Sequence, residues 1–258
     1  DLELNTLFHA MSQGDNFLFE ISKNAILSGL SDIDSILYRQ EILKDCLKNA
    51  SVVRELYQIP ITAMDREQRR WLGIFSHSSS GVLSSAVSLM QMFIVLLKEL
   101  KIIVDKHRNE FKSDGFNRFF TMIEQELNDE YFDEIDYHLK QLRFRDGVLI
   151  SAKLGAGNEG TNYSLRLPNP KNKSWIKEVL LKRSPVYSFT ISERDDAGSR
   201  ALGDLINIGE YTAANSLAQA TDHIENFFKM LRSELAFYIG CINLREQLEQ
   251  IGNPIAFP

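Results

Sequence analysis

The chain has 258 residues, 44% of them hydrophobic and 25% charged, the balance of a globular protein with enough apolar material for one large core or two small ones. Its formal net charge of −6 argues against a generally cationic nucleic-acid binder. Two cysteines, Cys46 and Cys241, cannot build a disulfide framework; both fall in half-apolar helical surroundings, so buried free thiols in a reduced, cytoplasmic setting are expected.

The N-terminal stretch "DLELNTLFHAMSQGD" is acidic and lacks the apolar run of a secretory signal. The chain opens without Met and stops in "NPIAFP", so a piece of something longer is expected. Residues 1–75 read as short helices. The clearest is "SDIDSILYRQEILKDCLKN", where Ile33, Ile36, Leu37, Ile42 and Leu43 recur at helical spacing. Ser31 or Asp32 is placed to cap its start, with Lys44 and Lys48 toward its end. "SSSG" at 78–81 marks a turn, and a long periodic stretch follows from Val82 to Glu110. Its most apolar run, "VSLMQMFIVLLKELKIIV", is interrupted by Lys98, Glu99 and Lys101 and reads as a buried or pairing helix, not a membrane span. "GFNRFFTMIEQELND" and "EYFDEIDYHLKQLRF" give two more helices.

The period then changes. "GVLISAKL", "TNYSLRLP" and "SPVYSFTIS" are short β-type runs, and "RDDAGSRALGD" reads as a connection. From Gly209 to Ile251 there is no proline and a single interior glycine, Gly240, so one helix of roughly 60 Å is expected at 1.5 Å per residue. A helix that long outgrows a small core and pairs with another, and Val82–Glu110 is the available partner. The expected fold is therefore mainly α: a helical core over 1–80, outgoing lever helices over 81–142, a small antiparallel β-rich clamp-like insert over 143–194, and a returning lever over 195–258.

The stretch "GAGNEGT" at 155–161 has the glycine spacing of a dinucleotide loop and, at Gly155 and Gly160, of a P-loop. A phosphate cradle needs a helix N-terminus after the glycines, and here the alternating run "TNYSLRL" follows, with Thr161-Asn162 where a P-loop has Lys-Ser or Lys-Thr. The segment reads as the turn of a hairpin. Five scattered histidines (9, 77, 107, 138 and 223) show no zinc spacing, and no metal site is expected. Asp133, Glu134 and Asp136 beside His138 read as the wet face of a helix, with Tyr131, Phe132 and Ile135 on its apolar side. Ser78–Ser80 after His77 lack a nucleophile elbow and read as a turn, so no catalytic residues are expected.

Charge is unevenly distributed. Residues 140–185 carry ten Lys or Arg against Asp146, Glu159 and Glu178, a net +7, leaving −13 for the rest. A basic segment in an acidic protein is an electrostatic footprint for a phosphate backbone. Lys153, Arg166, Lys171, Lys173, Lys177, Lys182 and Arg183 are the expected phosphate contacts, and Trp175, within "KNKSWIK", is the aromatic placed to stack on a base. A helical protein–protein scaffold without direct DNA binding is the alternative, in which the long hairpin meets partner helices.

Three pieces resemble a known family. "LSDIDSILYRQEILKDCLKN" resembles the opening of the core domain of MutS-like DNA mismatch repair ATPases: Leu30, Ile36, Arg39 and Gln40 match its motif, and Gly29 stands where that motif has proline. The order of long helix, insert and long returning helix is similar to that family's lever and clamp. "ELAFYIGCINLREQLEQIGNPIAFP" resembles the end of its returning lever, just before the ATPase domain. The resemblance implies a non-catalytic, DNA-clamping and signal-transmitting region. It further implies that the full-length protein is a nucleoid-associated homodimer that binds double-stranded or branched DNA, with ATP and Mg held in an ATPase domain beyond Pro258. The family's mismatch wedge, Phe-x-Glu, belongs to another domain; Phe132-Asp133-Glu134 matches it in letters alone, which leaves the DNA form open.

Overall fold

A computed structural model of the chain describes residues 3–71, 79–142, 149–156, 160–166, 196–253 and 255. In chain order these form α1 (Leu4–Ser12), α2 (Asn16–Leu27), α3 (Ile33–Lys48), α4 (Ala50–Trp71), α5 (Ser79–His107), α6 (Asp114–Glu126), α7 (Asp129–Gln141), β1 (Leu149–Leu154), β2 (Gly160–Arg166) and α8 (Asp196–Gln250), with a short 3-10 turn, Arg108–Glu110, after α5. They fall into two compact units, one of Asp1–Ile74, Leu89–Glu134 and Gln219–Pro258, the other of Phe75–Ser88 and Ile135–Ala218.

Local chemistry sets the helix ends. Gly14, with φ of 90°, turns the chain between α1 and α2. Asp15 then accepts from the amides of Phe17 and Leu18 at 2.7 and 3.1 Å, satisfying donors that the first turn of α2 leaves open. Asp32 does the same for α3, accepting from the Ser35 amide at 2.9 Å and its hydroxyl at 2.8 Å. At the far end of α8, Gly252 adopts φ of 75°, and the amides of Gly252 and Asn253 return to the carbonyls of Glu249 and Leu248.

The core of the first unit is aromatic and aliphatic. Phe93 on α5 meets Phe228 on α8 at a ring separation of 5.7 Å, and both are buried. Phe111, Phe116 and Phe120 cluster at the start of α6, and Leu56, Leu96, Leu100 and Ile123 are fully enclosed. Ser80–Glu110 is long and apolar enough to cross a membrane by length and composition, but Phe93, Ile94, Leu96, Leu97, Leu100 and Val104 within it are buried in the protein. Gly240 marks a close approach: a Cβ there would stand 2.8 Å from Ser22 Oγ and 3.1 Å from Met11 Cε. Asp45, buried on α3, accepts from the amides of Lys112 and Ser113 at 2.8 and 2.6 Å, capping α6 from outside. Cys46 is buried beside it and Cys241 nearly so; burial drives both thiols up, Cys241 to about 12.

Three expectations need correction. The chain is mainly α, but the expected β-rich clamp is not found: the sheet among the described residues is one two-stranded antiparallel ladder, β1–β2. Among the described residues, the alternation over Leu149–Leu154 and Gly160–Arg166 forms a two-stranded ribbon, which by itself has no second layer to enclose a core. The third strand expected in "SPVYSFTIS" lies outside the described residues. α4 runs 22 residues through Pro60 where short helices were expected, because Leu56, Ile59 and Ala63 bury its apolar face on both sides of the proline. α8 begins at Asp196, so "DAGSRALGD" is helical despite Gly198 and Gly203, and the helix reaches 55 residues.

Candidate nucleic-acid interface

The basic segment enters the described structure at α7 and at the ribbon. Lys140 is exposed in the last turn of α7. In the ribbon, Leu149 pairs with Arg166, Ser151 with Ser164, Lys153 with Thr161 and Leu154 with Gly160. Two residues of β2, Asn162 and Tyr163, stand against Ala152 alone, an irregularity that sharpens local twist. Gly155 to Gly160 therefore joins two antiparallel strands, and no helix N-terminus follows it to receive a phosphate.

The ladder brings two of the expected phosphate contacts onto one element. Lys153 is exposed one pair from the turn; Arg166 stands at the opposite end, opposite Leu149. At 3.3 Å per residue, their positions are about 13 Å apart along the ribbon. Lys171, Lys173, Lys177, Lys182, Arg183 and Trp175 lie outside the described residues. On α7, Asp133 and Glu134 are exposed while Phe132 and Leu139 are buried.

The motif residues sit at the start of α3. Leu30 is exposed just before the helix, Ile36 and Gln40 are half-buried, and Arg39 is exposed at the mouth of a cavity it shares with Tyr38 and Tyr238. The sequence shows no sign of the polar fastening at the end of α8. Asn243, buried, donates to the Met11 carbonyl at 2.8 Å and accepts from Arg54 at 2.9 Å. Arg54 also pairs with Glu246 at 2.7 Å. Arg245 donates to the Leu47 carbonyl and Gln247 to the Ala10 carbonyl, at 2.9 and 3.1 Å. The last turns of α8 are thus tied to α1, α3 and α4. Spacing cannot reveal such bonds, since the residues they join stand 189 to 237 positions apart.

Compared with known families, residues 31–251 match the MutS2 N-terminal domain, which takes in α3 through to the end of α8. The chain belongs to the MutS2 N-terminal domain family. The match begins at the capping segment of α3, one residue after Leu30, and closes just after the fastened turns of α8, so it covers Ile36, Arg39 and Gln40 of the motif, the ribbon and both long helices. No curated protein and no solved structure matches the chain.

Proposed function

We propose that this region of a MutS2-family protein holds DNA through its basic segment and carries motion between that segment and an ATPase part outside these 258 residues. The observation that carries the reading is the segregation of charge: +7 within residues 140–185 against −13 elsewhere, inside a chain of this family. A phosphate backbone is drawn to that segment and repelled by the rest, which confines contact to one stretch. Contacts of this kind set position and carry no sequence reading. The fastened end of α8 supports the transmitting role, because a helix gripped by three neighbours turns with them instead of sliding against them. No catalytic residue is assigned to the chain; ATP and Mg belong to the ATPase part, and the full-length protein acts as a homodimer on double-stranded or branched DNA.

The test is a salt titration of binding to duplex, mismatched and branched DNA. The intact chain is compared with a variant in which Lys171, Lys173, Lys177, Lys182 and Arg183 are neutralised. Steep salt dependence that collapses in the variant is expected; no binding by either protein at low salt would sink the proposal. Lys153→Ala alone lowers affinity equally for all three DNA forms and reduces the salt slope by about one.

A further inference from the structure

Two cavities of the first unit meet at Met122 and Phe227, which line both, and follow one another along the seam between α6 and α8 as a trough in two parts. The larger, about 310 Å³, reaches Arg39 and Glu234; the smaller, about 190 Å³, reaches Glu126 and His223. The two helices run antiparallel there: Phe116 lies toward Tyr238, and Leu127 toward His223. From His223 to Tyr238 the trough follows α8 for about 22 Å at 1.5 Å per residue. Its floor is apolar, and Met122 and Met230 remain 38% and 58% exposed on it. Flexible thioethers of this kind adapt to an incoming surface.

We propose that this trough is a self-association surface, occupied by the same trough of a second copy of the chain. The charges at its ends select that occupant. One end carries Arg39 with Glu234, the other Glu126 with His223. A two-fold axis perpendicular to the trough, through the Met122–Phe227 seam, lays each end on its opposite. Arg39 then meets Glu126 and Glu234 meets His223, each pair formed twice, as a closed isologous interface requires. An axis along the trough would instead set Arg39 against Glu234 and Glu126 against His223, so only the perpendicular axis lets reversals at Arg39 and Glu126 compensate each other between two copies. A polyanion fits poorly, because it would face Glu126 and Glu234 against Arg39. The product is a layer of four helices, α6 and α8 from each copy, closing over their shared apolar floor.

The test is sedimentation velocity of the 258-residue chain over a concentration series into the high-micromolar range, with Arg39→Glu, Glu126→Arg and an equimolar mixture of the two. Both substitutions are at exposed positions, and thermal melts check that each variant is folded. The wild-type chain dimerises reversibly. Each single reversal places two like-charged pairs in the interface and weakens the dimer at least about tenfold. Mixing the two variants restores both attractive contacts, so heterodimer forms at wild-type concentrations. A wild-type chain monomeric throughout, a dimer indifferent to either reversal, or a mixture that does not recover would each overturn the assignment.

Discussion

Two stretches of α8 share one continuous backbone and differ in almost everything else. From Gln219 to Gln250 the helix buries Phe228, Leu231, Leu235, Ala236, Ile239 and Ile242 and ends in the fastening of Asn243, Arg245 and Gln247. From residue 203 to Ala218 it buries Ala214 and Leu217, while Ile208 and Tyr211 stand 62% and 45% exposed. Helical propensity and i, i+4 bonds suffice to continue a helix through the second stretch, but tertiary packing is what holds the first in place. Being helical and being fixed are separate properties of a sequence.

The sharpest way to break that contrast is to remove one large side chain from each stretch. Phe228→Ala opens a cavity against Phe93 and lowers stability by about 3–5 kcal/mol, whereas Tyr211→Ala stays within about 0.5 kcal/mol. Urea unfolding of both variants measures this, and equal losses would erase the distinction. The next effect is polar. Asn243→Ala strands the Met11 carbonyl and takes an acceptor from Arg54, at a cost of about 1–3 kcal/mol. Thr212→Ala removes only a bond to the Ile208 carbonyl one turn back, and its melting temperature is expected to match wild type.

The smallest effect is a change of slope with pH. Burial, and then the neighbouring carboxylate of Glu225, raise Glu67 on α4 above the usual glutamate range, while Lys229, paired with Glu225, opposes the shift. A raised carboxyl holds its proton more tightly when folded, so its contribution is present at low pH and fades as pH rises through the raised value. Glu67→Gln removes that loss. The difference in stability between variant and wild type therefore grows in the variant's favour from about pH 4 to about pH 7. A difference that stays flat would place Glu67 outside the packed region.

What could be read in advance follows the range of the physics involved. The cap at Asp32, the apolar stripe of α3 and the alternation of both ribbon strands are local, and each is visible within a few residues. Pro60 inside α4 and Gly203 inside α8 contradict local rules, because burial or a long propagating helix outweighs one unfavourable residue. Alternation carries no measure of how many strands stack, so it cannot tell the two-stranded ladder of the described residues from a β-rich domain. Of the candidate site, charge segregation and family motif were legible; the meeting of Arg39 with Tyr238 across the cavity, some two hundred residues apart in the chain, was not.

The narrow approach at Gly240 has a consequence for how such chains can vary. The hydroxyl of Ser22 and the thioether of Met11 occupy the volume that a side chain at 240 would need. Position 240 can gain a methyl group at little cost only where position 22 gives up its oxygen and Met11 yields slightly, so Gly240→Ala and Ser22→Ala should compensate when combined. These two helices thus share a fixed allowance of space, and related chains are expected to trade bulk between the two positions and change them as a pair.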